Sequence, residues 1–289
     1  KIQDRKARVV DQLVGGVEKL LSANKVEVIS GTAEFIDNHT IKITKEDKST
    51  TQLSGKNIII ATGSKAQLPP IEGIDQEGVF TSKEILEFSE VPKTLAIIGG
   101  GVIGMEFACI FQALGAEVRV VEYEKDILPL LDKDLSKRLA ASLKKPPNKG
   151  DGSNKGDGSF CLPPMSINTG TKVMAIDRQG EKLVLRAENK KGELSIEADG
   201  VLVSTGRQAV FQDLNLGAAN IKYNSCIEVD ERFMTNIKGI YAIGDVNGKT
   251  MLAHAASNQG ITVVDHIMGI DNQIDHDVIP NCIFTFPEI

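Results

Sequence analysis

Gly99-Gly100-Gly101-Val102-Ile103-Gly104 is the segment whose residue types and spacing could do the most chemistry. It stands between an apolar run of strand length, Thr94 to Ile98, and a helical pattern from Val102 to Leu114. Taken as G-x-G-x-x-G, it uses Gly99, Gly101 and Gly104. The first glycine permits a tight turn, the second lets the main chain approach a pyrophosphate, and the third lets helix and strand pack closely. The helix N-terminus then offers N–H groups and a positive dipole end to the phosphates. A glycine-rich turn that binds nothing has the same letters, so the motif alone is weak. Glu122 raises it by closing the next strand, 18 residues after Gly104. A carboxylate there can accept from both hydroxyls of an adenosine ribose. It would also repel a 2′-phosphate, so NAD(H) is expected over NADP(H).

Two shorter signals bracket this unit. Ala61-Thr62-Gly63-Ser64 and Ser204-Thr205-Gly206-Arg207 each follow an apolar strand, and a small-Thr-Gly turn lets main chain cross close to a bound dinucleotide. Each alone reads as an ordinary strand-ending turn; their repetition, one per predicted sheet, carries the weight. In Tyr241-Ala242-Ile243-Gly244-Asp245 a strand delivers Asp245 to its carboxyl end, where it can accept from a polyol chain. Met251-Leu252-Ala253-His254-Ala255-Ala256 then starts a helix whose N-terminus could face a flavin. The plainer alternative makes Asp245 a helix cap, and His254 by itself reads better as a structural histidine.

The elements that must position these residues follow from periodicity. Residues 6 to 22 place Val9, Val10, Leu13, Val14, Val17, Leu20 and Leu21 on one helical face. Strands are predicted at Val26 to Ser30, Gly31 to Phe35 and Thr40 to Thr44, with Lys45 to Thr51 as a hairpin tip. Asn57 to Ala61 is a continuous apolar run, as a buried parallel strand should be. After Pro69, Pro70 and Pro92, a strand to Ile98, the helix from Val102, a strand over Glu117 to Val121 and a helix over Asp134 to Lys145 alternate. Strands recur at Lys172 to Ile176, Lys182 to Glu188, Leu194 to Ile196 and Val201 to Ser204. The fold class is therefore α/β, a Rossmann-like parallel sheet with helices, with the stretch from Lys172 to Ile196 a small antiparallel meander on one face. Residues 146 to 166, with their tandem Asn-Lys-Gly-Asp-Gly-Ser, read as a disordered insertion. Their acidic spacing does not suit a calcium loop.

Composition sets outer bounds. Hydrophobic residues at 41% and charged residues at 25% are those of a globular protein, and a net charge of -6 argues against nucleic acid. No apolar run approaches a membrane span. Cys109, Cys161, Cys226 and Cys282 form no close pair, so neither a disulfide framework nor a metal site is expected. The first residues lack an initiator Met and run straight into a helical pattern, which leads us to expect a chain cut at its front.

Taken together, these motifs resemble the pyridine nucleotide-disulfide oxidoreductases, the two-dinucleotide disulfide reductases, and within them the dihydrolipoyl dehydrogenase branch. Gly99 to Glu106, with Val102, Ile103, Met105 and Glu106 beside the glycines, is similar to the family's NAD segment, where Glu106 would sit by the nicotinamide end. Glu122, Val173 and Gly206 match the family's other NAD contacts, and Ala33, Thr62, Gly63, Ser64, Asp245 and Met251 to His254 match positions that contact FAD. The resemblance implies residues 1–91 as a partial FAD-binding domain, 92–212 as the NAD-binding domain and 213–279 as the return of the FAD domain. Residues 280–289, with Thr285-Phe286-Pro287-Glu288, would begin an interface domain.

The complete enzymes of that branch pass electrons from dihydrolipoamide through a disulfide and FAD to NAD. Their implied partners are lipoyl domains of 2-oxoacid dehydrogenase or glycine cleavage complexes and a second copy in a homodimer, in the cytoplasm or an organelle's matrix or stroma. The family's first glycine-rich turn, its Cys-x-x-x-x-Cys and its His-Glu pair are not found in these residues. No catalytic residue is therefore assigned, and this span alone is expected to be inactive. The alternatives are an NADH-dependent flavoprotein without a dithiol, and a fragment that only binds a nucleotide.

Overall fold

The computed structural model describes residues 1–144, 162–270 and 274–289. Along the chain, α1 spans Ile2–Ala23, β1 Thr32–Phe35, β2 Thr40–Thr44, β3 Thr50–Ser54, β4 Ile58–Ile60, β5 Ser64–Ala66 and β6 Val79–Phe80. Next come β7 Thr94–Ile98, α2 Val102–Ala113, β8 Glu117–Val121, α3 Lys133–Lys144 and β9 Met165–Asn168. The remainder is β10 Lys172–Gln179, β11 Lys182–Asn189, β12 Gly192–Ala198, β13 Gly200–Val203, β14 Arg207–Ala209, β15 Ile240–Ala242 and α4 Ala253–Met268. Contacts divide these elements into two compact units, 1–65 with 208–280 and 66–207 with 281–289.

The second unit is built on a five-stranded sheet in the order β6-β13-β7-β8-β9, every pair parallel. Because β6 lies beside β13, residues 66–91 group with the nucleotide-type sheet and not with the elements before them. Strand period two sends Leu95 and Ile97 to one face and Ala96 and Ile98 to the other. The first pair packs with Met105, Ala108 and Phe111 of α2 and Leu139 and Leu143 of α3. The second packs with Ile176, Leu183 and Leu185 of the antiparallel meander β10-β11-β12. Both faces are thus covered, as parallel strands require.

β9 corrects the expected extent of the insertion, most of which (146–161) lies outside the described residues. Residues 165 and 166 belong to a strand that pairs Met165 with Val118 and Ile167 with Val120. Met165 and Ile167 are both buried, so the short Met-Ser-Ile-Asn alternation directly after Pro163-Pro164 is a sheet edge and not part of the insertion.

The first unit holds the antiparallel sheet β1-β2-β3 and a two-stranded parallel pair, β4 with β15. Its core gathers Phe35, Ile60, Phe211, Ile221, Ile227, Ile240 and Val246. Two expectations need correction here, and a third element forms as expected. Val26 to Ser30 forms no strand and joins no ladder, and Val26 and Val28 are exposed. The run around Ile59 is not buried on both faces, since Ile59 is 39% exposed where Ile60 is 4%. The amphipathic helix forms as α1, yet none of its residues is buried. In each case the apolar pattern is present and no described element of the unit covers it. Residues 278–289 likewise form no strand, and 281–289 pack within the second unit.

Candidate functional site

In the second unit the glycine turn joins β7 to α2, and each glycine has a distinct steric reason. Gly99 has φ +107, and a Cβ there would stand 2.5 Å from the Ser204 carbonyl oxygen. A Cβ on Gly104 would lie 2.0 Å from the Gly99 carbonyl oxygen. These two positions are closed by the fold itself. A Cβ on Gly101 would meet nothing within 4 Å, although this residue is the N-cap of α2. An open cradle where a side chain would fit, directly over a helix start, suits a ligand that the main chain must approach. The first turn of α2 has no side-chain cap and no acidic residue, so its N–H groups and positive dipole end are left for an anion. The residues present therefore fit a dinucleotide pyrophosphate.

Glu122 stands just past the end of β8, 7% exposed. Its Oε2 accepts from the Gly100 N–H at 2.5 Å and its Oε1 from the Glu124 N–H at 2.6 Å. The carboxylate thus braces the glycine turn, and each oxygen keeps a second lone-pair direction for a ribose hydroxyl. Met105 is fully buried among the core residues, and Val173 is buried under the other face. Any nucleotide contact from these two would run through main chain. A bulge between Val173 and Ala175 interrupts the β10-β11 ladder at that place. Val102, Ile103 and Glu106 are half-buried, and Glu106 Oε1 accepts from the Phe284 N–H at 3.0 Å. Gly206 has φ +131 and accepts from the Gln67 N–H through its carbonyl. The sequence places Ser204 in a strand-ending turn but gives its side chain no role; its hydroxyl lies 3.2 Å from the Ile98 and 3.0 Å from the Gly99 carbonyl oxygen. With one proton to give, it donates to one of these at a time and ties β13 to the glycine turn.

In the first unit the structure gathers Thr62, Gly63, Ser64 and Asp245. Asp245 lies in the short 3-10 turn Gly244–Asn247 after β15, and its Oδ2 accepts from the Ser64 hydroxyl at 2.5 Å. It does not cap α4, whose N-cap is Leu252 with no side-chain hydrogen bond. Thr62 donates to the Val210 carbonyl at 2.5 Å, and Gly63, at φ +71, has open space around its Cβ direction. Ala33 is half-buried in β1, paired with Ile43. Met251, Ala253 and His254 are exposed, and His254 Nε2 lies 2.8 Å from the Pro280 carbonyl oxygen. Beneath the turn, Gln259 is 2% exposed, and its Oε1 accepts from both the Gly244 N–H and Asn247 Nδ2, each at 2.8 Å. Gln259 and Asn247 escaped the sequence reading, since a polar residue on a helix face carries no mark of burial. An unsaturated α4 N-terminus beside a small-residue turn and an acceptor carboxylate fits part of a flavin dinucleotide bed.

Cys109 and Cys226 are half-buried and Cys282 exposed, all three free thiols. Burial pushes the Cys109 thiol above its ordinary pKa, against the pull of a main-chain hydrogen bond from Phe286. No cluster of metal-ligating side chains occurs among the described residues, and no described helix is long and apolar enough to cross a membrane.

Residues 1–146 and 165–260 match the family described as pyridine nucleotide-disulphide oxidoreductase. The chain is 35% identical over 289 residues to a mitochondrial dihydrolipoyl dehydrogenase of Pisum sativum, covering 99% of this chain and 54% of that protein. It is 33% identical to a dihydrolipoyl dehydrogenase of Bacillus subtilis (strain 168), covering 100% and 59%. Its fold is similar to the HOCl-induced flavoprotein disulfide reductase RclA from Escherichia coli, solved as a Cu(II) complex. The TM-score is 0.86 and the identity 27%, over 99% of this chain and 61% of that one. The chain spans little more than half the length of the relatives it matches.

Proposed function

The chain belongs to the pyridine nucleotide-disulphide oxidoreductase family, and from that premise we propose that it is the NAD(H)-binding portion, with part of the FAD bed, of a dihydrolipoyl dehydrogenase-like flavoprotein. The single observation that carries the reading is the glycine turn with its open Gly101 cradle, held against a buried Glu122. In this reading Gly99 to Gly104 seat the pyrophosphate on the α2 N-terminus, and Glu122 accepts from the adenosine ribose hydroxyls. Val173 and Gly206 border the nucleotide through main chain, and Glu106 lies toward the nicotinamide. Ala33, Thr62, Gly63, Ser64, Asp245 and Met251 to His254 form the flavin side, with Asp245 the polyol acceptor.

When bound, the two cofactors supply the hydride and electron chemistry, and the chain's own residues bind, orient and exclude. We assign no catalytic residue among these 289, because their four cysteines are widely separated in sequence and the three described ones are free. By the same reading the electron donor of the whole protein is a dithiol carried on a lipoyl domain, its oligomer a homodimer, and its setting the cytoplasm or an organelle's matrix or stroma.

The test is nucleotide preference. Wild type should bind NADH more tightly than NADPH, because a carboxylate that accepts from the two ribose hydroxyls repels a 2′-phosphate. Glu122→Arg should weaken NADH by about tenfold or more, since it removes two buried charge-assisted acceptors and the brace on Gly100. It should also narrow or invert the preference. A titration in which wild type favours NADPH would overturn the placement of Glu122.

A further inference from the structure

Residues 281–289 contribute a fixed donor to the nucleotide-type site. Ile283 is fully buried in the core cluster that contains Met105 and Phe111 of α2, and Ile289 packs against that cluster. Ile283 and Ile289 exchange both main-chain hydrogen bonds, at 2.8 and 3.1 Å, which closes the segment on itself. Inside this loop Thr285 is buried and donates its hydroxyl to the Pro287 carbonyl at 2.7 Å. The segment meets α2 through its main chain as well as through Ile283. The Phe284 N–H donates to Glu106 Oε1 at 3.0 Å. The side chains of Phe284 and Phe286 point away into exposure, so the segment offers α2 its backbone and not its rings.

Glu106 Oε2 accepts no hydrogen bond from the described residues. We propose that the Phe284 main-chain N–H is a positioning group for Glu106, pinning Oε1 so that Oε2 is presented to donors at the nicotinamide end of the dinucleotide. The inference rests on the reading that NAD(H) occupies the glycine turn. A glutamate has three side-chain torsions, and one already held by a donor on an anchored loop loses less freedom when a ligand arrives. The residue that matters is therefore far from the glycine motif in sequence, and it acts through its N–H, whatever its side chain.

The experiment titrates the full chain with NADH and with 5′-ADP, which shares the adenosine and pyrophosphate but lacks the nicotinamide end. Phe284→Pro removes the donor. It should weaken NADH by about tenfold, the scale of one net hydrogen bond, and leave ADP within about twofold. Glu106→Asp keeps the charge but shortens the arm and leaves the tail untouched, and the same split is expected. In a Glu106→Ala background Phe284→Pro should change NADH affinity by less than about twofold, since the partner it acts through is gone. Equal loss of NADH and ADP, no loss of either, or additive effects in the double variant would overturn this inference while leaving the site reading intact. A wild type that binds neither ligand sinks both together.

Discussion

The two units carry the same local device, an apolar parallel strand ending in a small-Thr-Gly turn, and bury it very differently. In the second unit β7 and β13 lie inside a five-stranded sheet, and the residues of both faces vanish into separate cores. In the first unit β4 has one described partner, β15, and its central Ile59 remains 39% exposed. α1 extends the contrast, with Leu13, Val14, Val17 and Leu20 all exposed on its surface. Strand identity is set by the run of β-branched residues, whereas protection is set by what lies over each face. The nucleotide-type site rests on a sheet covered within its own unit; the flavin-type residues rest on one that is not.

The largest expected effect tests that contrast directly. In hydrogen exchange on the full chain, α1 amides should exchange at least about a thousandfold faster than those of β7 and β8, because helices are held mainly by packing of their apolar face. Equal protection in α1 and β7 would break the comparison and mean that the apolar face of α1 is covered in solution.

Glycine substitutions should separate closed from open positions in the glycine turn. Gly104→Ala forces a Cβ to 2.0 Å from a backbone oxygen, so it should cost the second unit about 3 kcal/mol and abolish NADH binding. Gly101→Ala meets nothing in the fold. It should alter stability by no more than about 1 kcal/mol, the effect of changing an N-cap glycine, and still weaken NADH about tenfold through contact with the ligand alone. Thermal melts and NADH titrations of both variants decide this, and equal melting of the two would refute the distinction.

The smallest effect concerns the tie between meander and sheet. Asp199 Oδ1 pairs with Lys182 Nζ at 2.5 Å, and Oδ2 accepts from the Thr94 N–H at 2.9 Å. Burial alone would raise its pKa, but Lys182 and the Thr94 N–H together hold it below the ordinary value. A lowered folded pKa means that stability is present above the unfolded pKa and drains away as pH falls toward the folded one. Solvent screening of this partly exposed pair limits Asp199→Asn to about 0.5–1 kcal/mol at neutral pH. The deficit should shrink below about pH 4, and exchange in the first unit should not change. A deficit independent of pH would show that the carboxylate's charge is not what matters.

Much of the site was legible because it is local. The order strand, three glycines, helix, strand, acid needs no distant partner to be recognised, and the structure builds β7, α2 and β8 with Glu122 against Gly100. Elements too short to show periodicity were not legible. β9 is four residues long behind two prolines, and β6 is only two. Groups whose role comes from a remote partner were hidden too, since Ser204, Gln259 and Asn247 look like any polar residue until the fold encloses them.

What the sequence by itself determined is the chemistry available along single strand-turn-helix segments, because Cβ sterics and helix N–H groups act within a few residues. Only the tertiary structure decided which segments would be joined across the chain. Ser64 meets Asp245 181 positions away, Phe284 meets Glu106 178 away, and Ser204 closes on Gly99 105 away. Such bonds depend on how strands are ordered and which faces are covered, a property of packing that no local spacing records.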